Sequence, residues 1–383
     1  MTTIDRRPSV WLVGGTRPEA LKLAPVFQAL RCHGVIRPVL VSTGQHPTMF
    51  HQGLAAFGLT PHHELALRRV TGAQAELVAQ VIEQLDQRLD RDRPDAVLVQ
   101  GDTATALAGA LAAFWRQIPV VHLEAGLRSH DLMAPFPEEA NRRMVDQIAA
   151  LHLAPTAAAA ANLRADGISP ASIHVTGNTI VDAVQSMAGR TTGFTEPGLH
   201  AVEGMLLAGQ RLLLVTAHRR ESWGEPLRAV LAAVRDVIDG YADVFAVLPV
   251  HPNPVVRDQV TAALGGHPRV VLTPPVDYPD LVRLLERSTL VLSDSGGIQE
   301  EAPTFGVPVL VLRDRTERME AVDAGCAELV GTNRVRITSS AKRLLDARTE
   351  RAPASRPNPF GDGRAAQRTA VALARLLEVG VKP

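Results

Sequence analysis

Two acidic side chains follow apolar runs that are typical of buried strands. Asp102 ends the stretch VLVQGD and Glu124 ends VVHLE, and a glycine lies close to each. Ligands of open parallel sheets bind outside the carboxyl ends of the strands, so we expect both carboxylates in one crevice, where they suit proton transfer. The alternative for Asp102 is the N-cap of the following helix. Glu124 has no comparable structural reason to follow an apolar run, and it is the strongest catalytic candidate.

A pair of cations follows the first apolar run. The segment GGTRPEALKLAP, residues 14–25, places Arg17 and Lys22 near one helix N-terminus, because Pro18 suits the first helical position. Unpaired N–H groups and the helix dipole favour an anion there, and the two cations strengthen the site for a diphosphate or a leaving group. The alternative is an ordinary turn with a surface lysine. The segment lacks GxGxxG, which argues against NAD, and we expect no cofactor.

The stretch FPEEANRRMVD begins a helix with two acids, Glu138 and Glu139. Acids in a first turn complement the helix dipole, and each of these has an arginine four residues later. The resulting pairs would be Glu138–Arg142 and Glu139–Arg143. The residues alone therefore favour a structural role for both glutamates.

The second half of the chain offers polar groups for an anionic ligand. His218 and Arg219 end an apolar run, and Ser295-Gly296-Gly297 follows another, in the outline of a phosphate cradle with a serine hydroxyl. Glu301 could hold a ribose by its hydroxyls. Further polar groups at strand ends are His251 in HPNP and Arg318 in RDRTER. No compact metal-ligand spacing is present in the sequence, and no metal is expected.

Composition narrows the class of protein. Lys plus Arg and Asp plus Glu both number 40 in the 383 residues, which argues against a uniformly basic nucleic-acid binder. The only two cysteines, Cys32 and Cys326, make no CxxC pair and fit a reducing cytosol. The first ten residues lack the apolar core of a signal peptide, and polar residues interrupt every apolar run well short of a membrane span. We expect a cytoplasmic protein without nucleic-acid or membrane partners.

Short Val- and Leu-rich runs alternate with helical patterns along both halves, which predicts two doubly wound parallel sheets with a cleft between them. A single domain is the alternative. The predicted domains are residues 1–177 and 178–364, and a final amphipathic helix at 365–377 could pack on either of them. The predicted strands are 10–13, 39–41, 96–99, 120–123, 151–154 and 173–175, then 212–215, 244–248, 270–272, 290–292 and 309–312.

Ten motifs in register resemble the non-hydrolysing UDP-N-acetylglucosamine 2-epimerases. They are GTRPEALKLAP, GDTAT, HLEAGLRS, PFPEEANRR, TGNTIVDA, HRRESWG, PVHPNP, SDSGGIQEEAP, TERMEAV and NPFGDG. The resemblance implies the GT-B fold, two Rossmann-like domains that close on a nucleotide sugar, with the last helix, within 365–383, packing back on the first domain. We also expect a homodimer. It also implies a reversible reaction in which the proton at sugar carbon 2 is removed, UDP is expelled, and both return to a glycal with inversion at that carbon.

The resemblance assigns roles to individual positions. It implies that Asp102, Glu124 and Glu138 are catalytic acids, which overrules the structural interpretation of Glu138, and it adds Lys22 and His218 to the catalytic set. The predicted substrate-binding residues are Arg17, Gln45, His46, Arg142, Arg219, His251, Ser295, Gly296, Gly297, Glu301 and Arg318.

The chain departs from the family pattern at a few positions. Pro47-Thr48 follows Gln45-His46, and the stretch 67–76 is atypical, in a region that bacterial members use for an activating second substrate. Gln100 replaces a common His and Met319 a common Pro, so the sugar or acyl group accepted can differ. The alternatives are a hydrolysing relative, a GT-B glycosyltransferase, which the clustered acids disfavour, and a silent nucleotide-sugar sensor, which the intact acids disfavour.

Overall fold

The computed structural model describes residues 7–190, 193–217, 219, 222–347 and 357–379. The chain divides into two compact units, one formed by Met1–Ala183 with Phe360–Pro383 and the other by Val184–Pro359. The sequence predicts the junction near 177, whereas the division falls inside a helix at 183–184. Among the described residues, no helix is long and apolar enough to cross a membrane.

The described part of the first unit contains a seven-stranded, all-parallel sheet in the order β3-β2-β1-β4-β5-β6-β7. The central strands are buried on both faces, as the uninterrupted Val and Leu runs require. The strands are β1 Ser9–Gly14, β2 Arg37–Ser42, β3 His63–Glu64, β4 Ala96–Gln100, β5 Val120–Leu123, β6 Leu151–Ala154 and β7 Ile173–Val175.

Helices connect these strands in the βαβ manner that a parallel sheet needs. Helices α3 and α4 pack against each other, as do α4 and α5, and the side chains between them and the sheet form one apolar core. The helices are α1 Arg17–His33, α2 Pro47–Ala55, α3 Gln74–Asp92, α4 Ala104–Trp115, α5 Glu138–Ile148, α6 Ala157–Ala165 and α7 Thr179–Met187.

The described residues of the second unit contain a six-stranded, all-parallel sheet in the order β10-β9-β8-β11-β12-β13. The strands are β8 Arg211–Thr216, β9 Val244–Pro249, β10 Val270–Thr273, β11 Ser288–Ser293, β12 Val309–Val311 and β13 Ala327–Leu329. The helices are α8 His200–Leu207, α9 Glu225–Gly240, α10 Pro254–Leu264, α11 Tyr278–Arg287, α12 Gly296–Glu301, α13 Met319–Asp323 and α14 Arg334–Asp346.

The last helix, α15, spans Ala365–Leu376 and packs on α1 in the first unit. The Asp182 carboxylate of α7 accepts hydrogen bonds from the backbone N–H groups of Ala365 and Ala366, at 3.1 and 2.9 Å. These two N–H groups belong to the first turn of α15, where a helix has no internal acceptors. A side chain of α7 thus fixes the start of the returning helix.

The predicted fold class, two Rossmann-like α/β domains with doubly wound parallel sheets, is confirmed. Each predicted apolar run coincides with an observed strand, and the final helix lies where its amphipathic pattern indicates. Two strands at sheet edges, β3 and β13, were not predicted, because neither contains an apolar run. The predicted cleft stays an expectation.

Candidate active site

Glu124 lies immediately after β5 with its backbone in the left-handed region, at φ 68°. A residue other than glycine rarely adopts this conformation, and such residues are often found at functional sites. The residue is only 8 % exposed. Both carboxylate oxygens lie 2.7 Å from Lys22 Nζ, and Gln100 Nε2 donates a further hydrogen bond to Oε2. The sequence-predicted acid and cation are therefore in direct contact.

Asp102 follows β4 at the adjacent strand end. Its carboxylate accepts hydrogen bonds from the Arg142 guanidinium, with Nε at 3.2 Å from Oδ2. The N-cap of α4 is Thr103, whose hydroxyl accepts from Ala106 N at 3.0 Å, so the N-cap alternative for Asp102 is wrong. A Cβ at Gly101 would lie 3.9 Å from Glu124 Oε2, which shows how closely the two acid-bearing strand ends approach.

Helix α5 brings the third predicted acid to this edge of the sheet. Glu138 is its first residue and is half-buried, and the side chain of Asn141 donates to the Asp102 carbonyl oxygen at 2.9 Å. Arg142 bonds the Glu139 carboxylate at 2.8 Å as well as Asp102, which differs from the predicted pairing with Glu138. No ion pair of Glu138 is found among the described residues.

The N-terminus of α1 is already occupied by an internal carboxylate. Glu19 accepts hydrogen bonds from Gly15 N at 2.9 Å and Thr16 N at 2.8 Å. Burial raises the pKa of Glu19, in spite of these hydrogen bonds and one from Thr103. The expectation of unpaired N–H groups at this helix start is therefore wrong for these two residues. The predicted cations of this segment, Arg17 and Lys22, stay the candidates for binding an anion here.

Gln45 and His46 follow β2 beside the start of α1. The Thr105 hydroxyl donates to Gln45 Oε1 at 2.8 Å and also lies 2.8 Å from Thr43 Oγ1. Gly15 makes this cluster possible, because a Cβ there would lie 2.1 Å from Thr43 Oγ1. His46 is exposed at the edge of the cluster, and partial desolvation together with the charge of Arg69 lowers its pKa.

The second unit presents its own strand-end cluster. Arg219 N donates to Asp294 Oδ2 at 2.8 Å, and Arg219 Nε donates to the Asp294 carbonyl oxygen at 3.0 Å. Ser295 follows as the N-cap of α12. His251, after β9, has its ring centroid 6.2 Å from that of Trp223. His218, predicted as catalytic, lies outside the described residues.

Arg318 lies against the start of α12. A Cβ at Gly296 would come within 2.8 Å of the Arg318 guanidinium carbon, so glycine is needed for this approach. Arg318 Nε pairs with Glu300 Oε1 at 2.9 Å, and its Nη1 bonds Glu317. Although Glu317 is partly buried, which opposes ionisation, the charges of Arg318 and Arg313 lower its pKa to about 2. The predicted residues Ser295, Gly296, Gly297 and Arg318 thus meet at one helix start, with Glu301 buried at its far end.

Comparison with known proteins identifies the family. The family model described as UDP-N-acetylglucosamine 2-epimerase matches residues 28–374. The Bacillus subtilis UDP-N-acetylglucosamine 2-epimerase is 42 % identical over 364 residues, which cover 95 % of this chain and 94 % of that protein. The Escherichia coli K12 protein of the same name is 41 % identical over 367 residues, covering 95 % and 98 %.

The chain belongs to the UDP-N-acetylglucosamine 2-epimerase family. The resemblance carried by the sequence motifs is confirmed. A crystal structure of the Neisseria meningitidis UDP-GlcNAc 2-epimerase bound to UDP-GlcNAc matches with a TM-score of 0.87 at 38 % identity. The match covers 96 % of this chain and 100 % of that chain. This agreement confirms the GT-B fold class for this member of the epimerase family.

Sequence reasoning missed several partners of the acids in this epimerase-family chain. Gln100 was noted only as a departure, yet it bonds Glu124. Glu139 was assigned a structural pair with Arg143, which is present at 3.9 Å, but its bond to Arg142 was not predicted. Gln100 could have been found from its place at the end of a buried strand, two residues before Asp102. The spacing of residues in the sequence does not predict that Arg318 pairs with Glu300 and Glu317.

Proposed function

We propose that this chain interconverts UDP-N-acetylglucosamine and UDP-N-acetylmannosamine by reversible elimination and re-addition of UDP. The observation that carries the proposal is the buried Glu124 carboxylate, held by Lys22 at the strand end beside Asp102, in a chain of this family. Acids at one edge of a sheet and a cation in contact with them suit a reaction that both moves a proton and releases an anion.

The proposed first step breaks two bonds of the substrate. A carboxylate takes the proton from sugar carbon 2, the C–H electrons form the double bond between carbons 1 and 2, and the bond from carbon 1 to the phosphate oxygen breaks with its electrons leaving on UDP. The return step delivers a proton to the opposite face of carbon 2 while UDP oxygen re-forms the bond to carbon 1. Atoms and charge balance over the cycle, and no cofactor is needed.

Two acids are needed because the proton leaves one face of carbon 2 and returns on the other. Glu124 is assigned as one of them, since its Lys22 and Gln100 contacts hold it as a carboxylate. Asp102 and Glu138 are the candidates for the opposite face. Arg142 holds Asp102, whereas the half-buried Glu138 has no ion pair among the described residues, so it is the acid whose side chain can reorient most easily.

Cations are needed to stabilise the negative charge on the departing UDP. Lys22 and Arg17 belong to the first turns of α1, and Arg219, His218 and Arg318 are proposed for the nucleotide in the second unit. The Lys22 ammonium forms an ion pair with the Glu124 carboxylate, so an arriving diphosphate competes with that carboxylate for the ammonium. Weakening the ion pair would raise the basicity of Glu124 at the moment when substrate binds.

Proton NMR of the chain with UDP-N-acetylglucosamine in deuterated water tests the proposal without any added cofactor. We expect UDP-N-acetylmannosamine to appear with deuterium at carbon 2. Free N-acetylmannosamine with UDP would instead identify a hydrolysing enzyme, and transfer of the sugar to an acceptor would identify a glycosyltransferase. An unchanged substrate would contradict the proposed reaction for this sugar. The homodimer and the cytoplasmic location remain predictions.

A further inference from the structure

His122 is a fully buried histidine whose two ring nitrogens both face acceptors. Nε2 lies 2.8 Å from the carbonyl oxygen of Gly101, and because a carbonyl can only accept, Nε2 carries a proton. Nδ1 lies 2.6 Å from Asp146 Oδ1. Burial opposes ionisation of Asp146, yet the charges of His122 and Arg128 bring its pKa below the usual value. The Gly101 carbonyl and the Asp146 carboxyl group therefore hold the His122 ring from both of its nitrogens.

His122 belongs to a closed ring of charged side chains around the Gly101–Asp102 turn. The ring runs from Asp102 through Arg142, Glu139, Arg143, Asp166, Arg128, Asp146 and His122, which returns to the Gly101 carbonyl. Asp146 lies 2.6 Å from both His122 and Arg128, and the longest nitrogen–oxygen separation in the ring is 3.9 Å, between Arg143 and Glu139. The ring joins four carboxylates to three guanidiniums, and His122 connects these ion pairs to the backbone of the turn.

The histidine bridges the two strand ends that carry the proposed acids. It lies on β5 two residues before Glu124, and the turn that it bonds comes directly before Asp102. Gly101 N donates to the Leu123 carbonyl oxygen at 2.9 Å. The Gly101 residue is therefore fixed by β5 through both its N–H and its C=O.

We propose that His122 is a positioning residue for the epimerisation, one that fixes Asp102 relative to Glu124 through the Gly101 carbonyl. This proposal rests on the proposed function. His122 itself lies beneath the acids with no exposed surface, so its effect reaches the substrate only through the turn. Holding reacting groups in place is sensitive to displacements of about 1 Å, which can cost about 10²-fold in rate.

The variant His122→Gln keeps similar bulk, but the donors of Gln share one nitrogen and cannot replace two ring nitrogens that bond Gly101 and Asp146. The matched control is His152→Gln, because His152 is paired with His122 across β5 and β6, is 1 % exposed, and bonds the Asp146 backbone carbonyl at 2.8 Å without a contact to the turn. For each variant, kcat and KM for UDP-N-acetylglucosamine, UDP affinity by calorimetry, and the melting temperature would be measured.

We expect His122→Gln to lower kcat about 10²-fold, with KM and UDP affinity changed by less than about threefold, whereas His152→Gln changes kcat by less than about threefold. The inference is overturned if His122→Gln retains kcat within about threefold of wild type, or if both variants lose kcat equally. A wild-type chain that makes no UDP-N-acetylmannosamine contradicts the proposed function instead. Failure of the proposed function is distinguishable from failure of the His122 inference, because the first is seen with the wild-type chain alone and the second needs the variants.

Nitrogen NMR of histidine-labelled wild-type protein gives a test that needs neither a folded variant nor activity. A proton on Nε2 of His122 that is hydrogen-bonded to the Gly101 carbonyl supports the inference. An Nε2 that carries no proton would leave the Gly101 carbonyl without its donor and would overturn the inference.

Discussion

At the scale of single residues, the proposed chemistry depends on the backbone of Glu124 as much as on its carboxylate. Its left-handed φ of 68° turns the chain at the end of β5 and directs the side chain to Lys22 and Gln100. Such a conformation costs on the order of 1–3 kcal/mol in a residue with a side chain, and it persists where the surroundings enforce it. The ion pair with Lys22 is part of that enforcement.

Glu124→Gln should nearly abolish turnover and leave UDP binding intact. An amide cannot accept the carbon 2 proton, and loss of a general base costs about 10²–10⁴-fold in rate. The comparison is kcat for epimerisation with UDP affinity by calorimetry, and the control is Glu83→Gln on the exposed face of α3. Turnover within about tenfold of wild type in the Glu124 variant would remove this residue from the proton-transfer step.

The sequence allows the positions of Asp102 and Glu124 to be predicted, because an acid that ends a buried apolar run has few other reasons to be there. It does not allow the partner of Arg142 to be predicted. Helical spacing favours Glu138, but the segment between β5 and α5 brings Arg142 onto Asp102, and such loop geometry leaves no periodic pattern. The role of Glu138 came only from the family resemblance, and it stays a prediction.

At the scale of elements, the start of α1 shows how a side chain of the helix itself can accept hydrogen bonds from the backbone N–H groups at its N-terminus. Glu19 takes the N–H groups of Gly15 and Thr16 in a capping box with Thr16, and it is fully buried. The motif T-x-x-E was readable in the sequence, where it competes directly with the interpretation of this terminus as an anion site. The capping box therefore explains where α1 begins, whereas the cations Arg17 and Lys22 are the basis of the anion-binding role proposed for this terminus.

Glu19→Gln should change how stability depends on pH. Burial raises the pKa of Glu19 above its unfolded value of 4.5, so the folded state holds this proton more tightly. Stability that wild type gains from the protonated form is present below about pH 4.5 and is lost as pH rises through the folded pKa. The difference in unfolding free energy, wild type minus variant, should thus be larger in acid than at neutral pH in urea titrations. A difference that grows as pH rises would contradict the raised pKa.

The order of strands and helices was the most predictable feature of the elements. Buried parallel strands are continuous apolar runs, so β1, β4, β5, β8 and β11 could be located from composition alone. The edge strands β3, His63–Glu64, and β13, Ala327–Leu329, could not, because their partner strands specify them and their own residues do not.

At the scale of the whole molecule, the chain crosses from the first unit to the second and its last segment returns. The residues after Phe360 join the first unit, where Asn178 N donates to the Phe360 carbonyl at 2.8 Å and α15 lies on α1. The amphipathic pattern predicts this helix but not the domain on which it packs, because an apolar face specifies burial and not a partner. Only the family resemblance favoured the first domain.

Leu373→Ala should destabilise the first unit by about 2–5 kcal/mol and leave the second unit unchanged. Leu373 has no exposed surface in α15, so its truncation leaves a cavity. Hydrogen exchange followed by mass spectrometry resolves the two units, and the control is Arg375→Ala on the exposed side of the same helix. Equal loss of protection in both units would contradict the assignment of α15 to the first.

The central claim is that the bond between sugar carbon 1 and UDP breaks and re-forms during epimerisation. Its most direct test places an oxygen isotope label in the atom that joins carbon 1 to phosphate and follows the label in recovered UDP-N-acetylglucosamine. We predict that the label moves to the non-bridging phosphate oxygens, because those oxygens become equivalent in free UDP. A label that stays in the bridge while UDP-N-acetylmannosamine accumulates would contradict elimination and re-addition.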